Sequence, residues 1–174
     1  FSALKREYIF PIIEAKQAEL KSRFPDAEIV NLGIGDVALP LAPTIVQAIC
    51  AATEEMGRAK DLKGYGPSSG YPFLKEIIAK REFAYLGIDA DEIFISDGTN
   101  TDTTHIQELF SDSSVVAIMD PTYPAYLDAN VLAGKQVIPL PCTEENGFCP
   151  ALPSIHCDLI YLCSPNNPTG MAMT

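Results

Sequence analysis

The sequence predicts an α/β protein with three layers, α/β/α, in which helices cover both faces of a mostly parallel sheet. Three observations indicate this fold class. Strand-like and helix-like patterns alternate from residue 92 onward, as they do in βαβ units. The run at 158–163 is short, apolar and rich in β-formers, which is typical of a buried parallel strand. The chain has 174 residues, 47% of them hydrophobic, and this suffices for a core of that kind.

The helices and strands follow one another along the whole chain. Helices are predicted at about 11–24, 43–59, 72–86, 98–110 and 124–133, and strands at 28–32, 92–96, 115–119, 136–140 and 158–163. Prolines stand at the first turn of four of these helices, where the missing N–H would have no partner anyway. Gly87 marks the end of the third helix. The second helix is expected to bury one side, made of Ile45, Val46, Ile49 and Ala52.

Composition and charge exclude several classes of function. A formal net charge of −11 disfavours a nucleic-acid or anionic-membrane partner. No apolar run approaches the roughly 20 residues that span a bilayer. No basic region followed by an apolar one suggests a signal peptide. The first residue is Phe1 rather than methionine, so the start of the protein is expected to be missing.

The cysteines predict a reduced, cytosolic protein rather than a disulfide or metal site. The chain has five cysteines and no C-x-x-C. Cys50 and Cys163 fall on apolar elements, so buried thiols are expected. Two histidines leave too few ligands at suitable spacing for zinc. His156 and Cys157 are adjacent and would point apart on a strand, so a catalytic thiol pair is not expected.

Polar loops follow three of the predicted strands at their carboxyl ends, where open α/β sheets bind ligands. In the first loop Gly98 precedes a helix, whose free N–H groups and dipole attract a phosphate. An ordinary helix capped by Asp97 or Thr99 is the alternative. In the second loop, 120–126, two prolines hold Tyr123 where its ring can stack on a planar cofactor.

The third loop, 164–170, cannot continue a regular element because of its two prolines and Gly170. It holds Asn166 and Asn167 at the end of a strand. Asn167 precedes a proline, so the bond between them can be cis and can aim the amide. An ordinary polar turn is the alternative. A phosphate cradle, a stacking ring and a directed amide together predict a phosphorylated aromatic cofactor.

Two glycine loops lie earlier in the chain. Gly33-x-Gly35-x-x-Ala38 has the spacing of a dinucleotide fingerprint, but Leu39-Pro40 blocks the helix that such a fingerprint must open. A loop that lets a ligand carboxylate approach the backbone is expected instead. Tyr65, flanked by glycines in the loop 63–70, is expected to contact a ligand or another subunit, with a flexible linker as the alternative.

Taken in order, these motifs resemble the fold-type I, pyridoxal-phosphate-dependent aminotransferases of class I and II. The resemblance covers the chain from Tyr8 to Gly170 and is strongest to the members that act on LL-2,6-diaminopimelate. It implies amino transfer between LL-2,6-diaminopimelate and 2-oxoglutarate through pyridoxal 5'-phosphate, in a cytoplasmic homodimer that serves lysine biosynthesis. The motifs are Tyr8-Ile9-Phe10-Pro11, Leu32-Gly33-Ile34-Gly35-Asp36, Lys63-Gly64-Tyr65-Gly66-Pro67, Ile95-Ser96-Asp97-Gly98, Asp120-Pro121-Thr122-Tyr123-Pro124-Ala125-Tyr126 and Ser164-Pro165-Asn166-Asn167-Pro168-Thr169-Gly170.

Position by position, the resemblance implies roles for individual residues. Asn167 would hydrogen-bond the pyridoxal O3′, and Tyr123 would stack on the pyridine ring. Thr99 and Asn100 occupy the phosphate-loop positions, and Tyr65 would reach the phosphate of the neighbouring subunit. The substrate-binding set that the resemblance implies is Tyr8, Gly35, Asn100, Tyr123 and Asn167.

The resemblance also implies a division into domains, with 1–42 as an arm and part of a small domain. Residues 43–174 would be the first part of the large cofactor-binding domain. The family's cofactor-binding lysine lies beyond Thr174, so no catalytic residue is assigned here, and the chain alone is not expected to transaminate. The family usually has lysine where Asn100 stands and an acidic residue where Ser68 stands, which bears on substrate preference.

Three other functions stay open at this point. One is an aminotransferase that acts on another amino acid. A second is a non-catalytic module that binds pyridoxal phosphate or another phosphate ligand. The third is a nucleotide-binding α/β domain, which the blocked helix after Gly35 disfavours.

Overall fold

The computed structural model describes residues 9–33, 35 and 37–173, which divide into two compact units at 9–95 and 96–173. The first unit contains α1 (Ile9–Arg23), α2 (Pro43–Met56) and α3 (Pro72–Glu82), followed by 3₁₀ turns at Ala84–Leu86 and Ala90–Glu92. The second unit contains α4 (Thr99–His105), a 3₁₀ turn at Ile106–Leu109, β1 (Val115–Asp120), α5 (Pro124–Leu132), β2 (Gln136–Pro141), a 3₁₀ turn at Glu144–Asn146 and β3 (Leu159–Tyr161). The assignment of 1–42 and 43–174 to two domains stays a prediction.

The second unit is built around β1. The three strands form a parallel sheet in the order β2–β1–β3, so β1 has a neighbour on each side. From Val116 to Met119, β1 is at most 3% exposed. Tyr126 and Leu127 of α5 pack against this core. The predicted alternation of strand and helix therefore yields parallel strands joined by crossovers in this unit.

Two of the five predicted strands do not form. Residues 28–32 and 93–96 have no regular secondary structure, although their composition favours strands. A strand is stable only when a neighbouring strand pairs with its backbone. Ile95 instead makes one loop bond, in which its N–H donates to the Ser69 carbonyl oxygen at 3.0 Å. The prediction of strands at these two positions is therefore wrong for this chain.

The buried side predicted for α2 is exposed. Ile45, Val46 and Ile49 are 49%, 44% and 54% exposed, and Ala52 is exposed as well. Amphipathic spacing shows which side of a helix can be buried, but a covering element must supply the contact. Within the described ranges, no residue of α2 is buried.

The five cysteines are free, as predicted, but their burial differs from the expectation. Cys142 is buried, Cys163 is half-buried and Cys50 is exposed on the uncovered α2. Among the described His, Cys, Asp and Glu residues, no group is arranged to hold a metal ion. Within the described ranges, no helix combines the length and the apolar character that a membrane crossing requires.

Candidate functional site

Two of the predicted ligand loops leave the same edge of the sheet. β1 and β3 are adjacent and parallel, and they end at Asp120 and Tyr161. The loops at 120–124 and 162–170 therefore both begin at the carboxyl edge. This is the edge at which parallel α/β sheets bind ligands.

Asn166 fastens these two loops to each other. It is 2% exposed. Its side-chain Nδ2 donates to the Pro121 carbonyl oxygen at 3.0 Å and to Thr169 Oγ1 at 3.1 Å. Its Oδ1 accepts a hydrogen bond from Thr122 Oγ1 at 3.3 Å. Both ends of the amide are used within the protein, so Asn166 has a structural role.

Asn167 follows Asn166 in the chain, but its side chain is exposed where that of Asn166 is buried. The Asn167 side chain makes no hydrogen bond within the described residues. Its peptide bond to Pro168 is cis, as the sequence allowed. The turn from Asn166 to Gly170 is closed by a backbone hydrogen bond, in which the Gly170 N–H donates to the Asn166 carbonyl oxygen at 2.7 Å. The turn thus leaves the Asn167 amide available to a ligand.

Tyr123 stands at the end of a row of three tyrosines. It directly precedes α5, whose first turn begins with Pro124, and its ring is half-buried. The Tyr126 ring meets it edge-on at a centroid distance of 5.6 Å and stacks on Tyr161 at 5.3 Å. Tyr161 Oη donates to the Thr103 carbonyl oxygen at 2.8 Å. The row therefore joins the Tyr123 loop to β3 and to α4.

Tyr126, the middle ring of this row, has a phenol whose pKa is raised. Burial raises the pKa of its phenol, and the nearby Cys163 thiol raises the pKa further. A neutral phenol adds no charge to the space around Tyr123. The edge-on contact with Tyr126 helps to set the position of the Tyr123 ring.

The start of α4 is shaped by Gly98. Its φ of 131° and ψ of 160° lie in a region that other residues rarely adopt. Its N–H donates to Ser96 Oγ at 3.2 Å, and Ser96 Oγ donates to Asp102 Oδ2 at 2.7 Å. Gly98 is the capping residue, and among the described residues no side chain caps the helix, so the alternative of a cap by Asp97 or Thr99 is wrong.

Thr99 and Asn100 are the first two residues of α4. Both are exposed, and neither side chain makes a hydrogen bond within the part of the chain that the structure describes. Their backbone carbonyl oxygens accept bonds from Thr103 and Thr104 instead. The contacts of α4 with α5 and with Tyr161 join this loop to the other two.

The remaining predicted site residues belong to the unit 9–95 or precede it. The Tyr65 side chain is fully exposed. Around Gly35, a Cβ would meet no described atom within 4 Å, so packing alone does not require glycine there. Tyr8 lies outside the described residues.

The chain belongs to the aminotransferase class I and II family, whose sequence profile matches residues 27–174. Among curated proteins it is similar to the LL-diaminopimelate aminotransferase of Agathobacter rectalis, at 46% identity over 99% of this chain, and to that of Methanosphaera stadtmanae, at 42% identity over 100%. The chain spans 46% of the length of each of these relatives.

Solved structures confirm the predicted fold class. The L,L-diaminopimelate aminotransferase from Chlamydomonas reinhardtii matches 98% of this chain and 45% of its own, with a TM-score of 0.84 and 36% identity. The alanine aminotransferase from Pyrococcus furiosus matches 98% of this chain and 44% of its own, with a TM-score of 0.81 and 24% identity. At that lower identity the likeness concerns the fold alone.

Some residues that hold the site together were not found from the sequence. Asn166 was singled out with Asn167, but its bridging role depends on a contact across 45 residues. Tyr126 and Tyr161 form the row behind Tyr123, and only the three-residue spacing of Tyr123 and Tyr126 at the start of a helix could have indicated it. The Ser96–Asp102 bond has no sequence signal beyond two polar residues near a helix start.

Proposed function

We propose that the full-length protein is a pyridoxal-phosphate-dependent aminotransferase. It transfers an amino group between LL-2,6-diaminopimelate and 2-oxoglutarate and serves lysine biosynthesis. Family membership and the two LL-diaminopimelate aminotransferase relatives support this reading. We place the enzyme in the cytoplasm on its free cysteines, and we propose a homodimer with shared active sites.

The observation that carries the proposal concerns the polar side chains at the carboxyl edge of the sheet. Some of them form hydrogen bonds within the protein, and others are exposed and available to a ligand. Asn166 and Ser96 use their side chains to hold the loops. The side chains of Thr99, Asn100 and Asn167 are exposed and make no such bonds with any residue that the structure describes. A phosphate and a ring oxygen need donors of this kind, so the residues present fit pyridoxal phosphate.

Each residue then has a defined physical task. Thr99 and Asn100 donate to the phosphate, together with backbone N–H groups after Gly98. Tyr123 stacks on the pyridine ring. Asn167 donates to O3′, and such a bond favours the ionised oxygen because it stabilises negative charge there. The bound cofactor supplies an electron sink for the substrate carbon, and the protein contributes position and electrostatics.

The remaining residues bind the substrate or complete the site across the dimer. Gly35 lets the substrate carboxylate approach the backbone, and Tyr8 contacts the substrate as well. Asn100, Tyr123 and Asn167 line the substrate side of the cofactor. Tyr65 reaches the phosphate held by the neighbouring subunit.

The test is a donor and cofactor assay on the full-length protein. With pyridoxal phosphate we expect an absorption band of bound cofactor that changes when LL-2,6-diaminopimelate is added. With 2-oxoglutarate we expect glutamate to form, and none when 2-oxoglutarate is omitted. A protein that shows no bound-cofactor band contradicts the proposal at its root. A band without turnover of any amino acid would instead support a non-catalytic module.

Asn100 and Ser68 favour a second candidate within the same class. Both stand where the family usually has a charged residue, and a lost charge partner changes discrimination among substrates. An aminotransferase acting on another amino acid is therefore tested with a panel of amino-acid donors. The substrate assignment fails if kcat/KM for another donor exceeds that for LL-2,6-diaminopimelate.

A further inference from the structure

The loop that carries Tyr65 is anchored at its carboxyl-terminal end to the segment before Ser96. The Ile95 N–H donates to the Ser69 carbonyl oxygen at 3.0 Å. Gly70 has a φ of 101°, and a Cβ built on it would lie 2.3 Å from Ile95 Cγ1. The backbone at Gly70 therefore lies directly against Ile95, with no room for a side chain.

Lys75 of α3 lies buried beside this anchor. It is 8% exposed. Its Nζ lies 3.3 Å from Ser69 Oγ and 5.9 Å from the centre of the Phe94 ring. Within the described residues, no carboxylate forms an ion pair with it. Burying an ammonium without a counter-charge has a cost in stability, so packing alone is a poor reason for a lysine here.

The loop backbone directly after Tyr65 also lies against a ring. A Cβ on Gly66 would lie 3.1 Å from Tyr71 Cζ, so the loop backbone is close to this ring. Tyr71 in turn stacks on Phe73 at a centroid distance of 5.9 Å. Tyr65 thus lies close to an anchored part of the loop while its own ring is fully exposed. That arrangement leaves the Tyr65 ring accessible to a molecule outside the unit.

We infer that Lys75 is a positioning residue for Tyr65. It acts through Ser69, whose carbonyl oxygen accepts the Ile95 N–H bond that fixes the end of the loop, and it so reduces the conformations open to Tyr65. An ordered loop binds with less entropy loss than a mobile one. The inference rests on the proposed function, in which Tyr65 binds the cofactor phosphate of the neighbouring subunit. Lys75 itself does not touch the cofactor.

A double-mutant cycle on cofactor affinity tests the inference. We would measure the dissociation constant of pyridoxal phosphate by fluorescence titration of the full-length apoprotein. Lys75→Met and Tyr65→Phe are each expected to raise it about tenfold, the scale of one lost ordering or hydrogen-bond contribution. The double variant is expected to match Tyr65→Phe alone, because a loop without the phenol has nothing left to position.

Three further variants complete the experiment. Lys75→Arg keeps the buried charge and is expected to retain the wild-type dissociation constant. Lys80→Met makes the same change at an exposed position of α3 and serves as the matched control. Ser69→Ala removes the hydroxyl that contacts Lys75 and carries the test if Lys75→Met does not fold. Ser69→Ala is expected to weaken the binding of pyridoxal phosphate when Tyr65 is present, but to have no further effect in the Tyr65→Phe variant.

The possible failures are distinguishable. If Lys75→Met and Tyr65→Phe add fully in the double variant, Lys75 is merely structural and the inference is overturned. If Lys75→Met leaves the dissociation constant unchanged while Tyr65→Phe raises it, the inference fails alone. If the wild-type apoprotein does not bind pyridoxal phosphate, the proposed function fails with it.

Discussion

At the scale of single residues, Asn166 and Asn167 have the same side chain and opposite surroundings. The Asn166 amide is buried and bonded to Pro121, Thr122 and Thr169. The Asn167 amide is exposed without a partner in the described residues. Neighbouring positions of one turn therefore separate loop structure from ligand contact.

This contrast gives a paired prediction. Asn166→Ala is expected to lower the free energy of unfolding by about 1–3 kcal/mol, because buried bonding partners are left unpaired. Asn167→Ala is expected to change it by less than about 0.5 kcal/mol, as an exposed substitution does. Asn167→Ala is instead expected to raise the dissociation constant of pyridoxal phosphate roughly tenfold or more, since it removes a bond to a charged oxygen. Denaturant unfolding and cofactor titration measure the two quantities.

Each variant serves as the control for the other. Equal losses of stability and of cofactor affinity in both variants would mean that the whole turn is structural. Asn167 would then lose its assigned contact with O3′.

At the scale of elements, the helices were more predictable than the strands. Proline at a first turn and glycine at an end act within a few residues, so α2, α3 and α5 begin where the sequence indicates. A strand depends on a partner far away in the sequence. The segments at 28–32 and 93–96 have the composition of strands, but no described strand pairs with them.

The site was also predictable only in part. The loops after β1 and β3 were expected at one edge because parallel strands align their ends, and the sheet order agrees. What holds the loops there was not expected. The tyrosine row from Tyr123 to Tyr161 and the amide of Asn166 act across long sequence separations, for which local patterns carry no signal.

The anchor at Gly70 yields a prediction at this scale. Gly70→Ala is expected to destabilise the protein by well over 1 kcal/mol, because the new Cβ meets Ile95 and the backbone is also unfavourable. Gly87→Ala is the matched control, since Gly87 also has a positive φ, of 68°, but open space around it. Its expected cost is about 1 kcal/mol, from backbone conformation alone. Thermal unfolding of both variants measures the difference, and equal costs would rule out the close contact with Ile95.

At the scale of the whole molecule, the proposed cofactor ligands come from two units of the chain. Tyr65 belongs to 9–95, and Thr99, Asn100, Tyr123 and Asn167 belong to 96–173. Under the proposed function, Tyr65 serves the cofactor of the neighbouring subunit. Every active site then draws on two copies of the protein, as a two-fold symmetric dimer allows.

Shared sites predict complementation between two defective variants. Tyr65→Phe and Asn167→Ala full-length proteins, each nearly inactive at a limiting cofactor concentration, would be unfolded and refolded together in equal amounts. Half of the dimers are then mixed, and one of their two sites carries no substitution. The expected activity is about a quarter of the wild-type value, by the symmetry of a dimer.

The control is each variant refolded alone, and size-exclusion chromatography confirms that the dimers have formed. If the mixture only averages the two separate activities, Tyr65 and Asn167 act in the same subunit's site.

The bond from Asn166 to Pro121 has a consequence for protein synthesis. The two residues are 45 positions apart, so the loop around Tyr123 lacks this hydrogen bond until the ribosome has released the chain past Asn166. At elongation rates of about 5–20 residues per second, that interval lasts roughly 2–9 seconds. During that time the loop around Tyr123 is present without the side-chain bond that later holds it to the turn at 164–170.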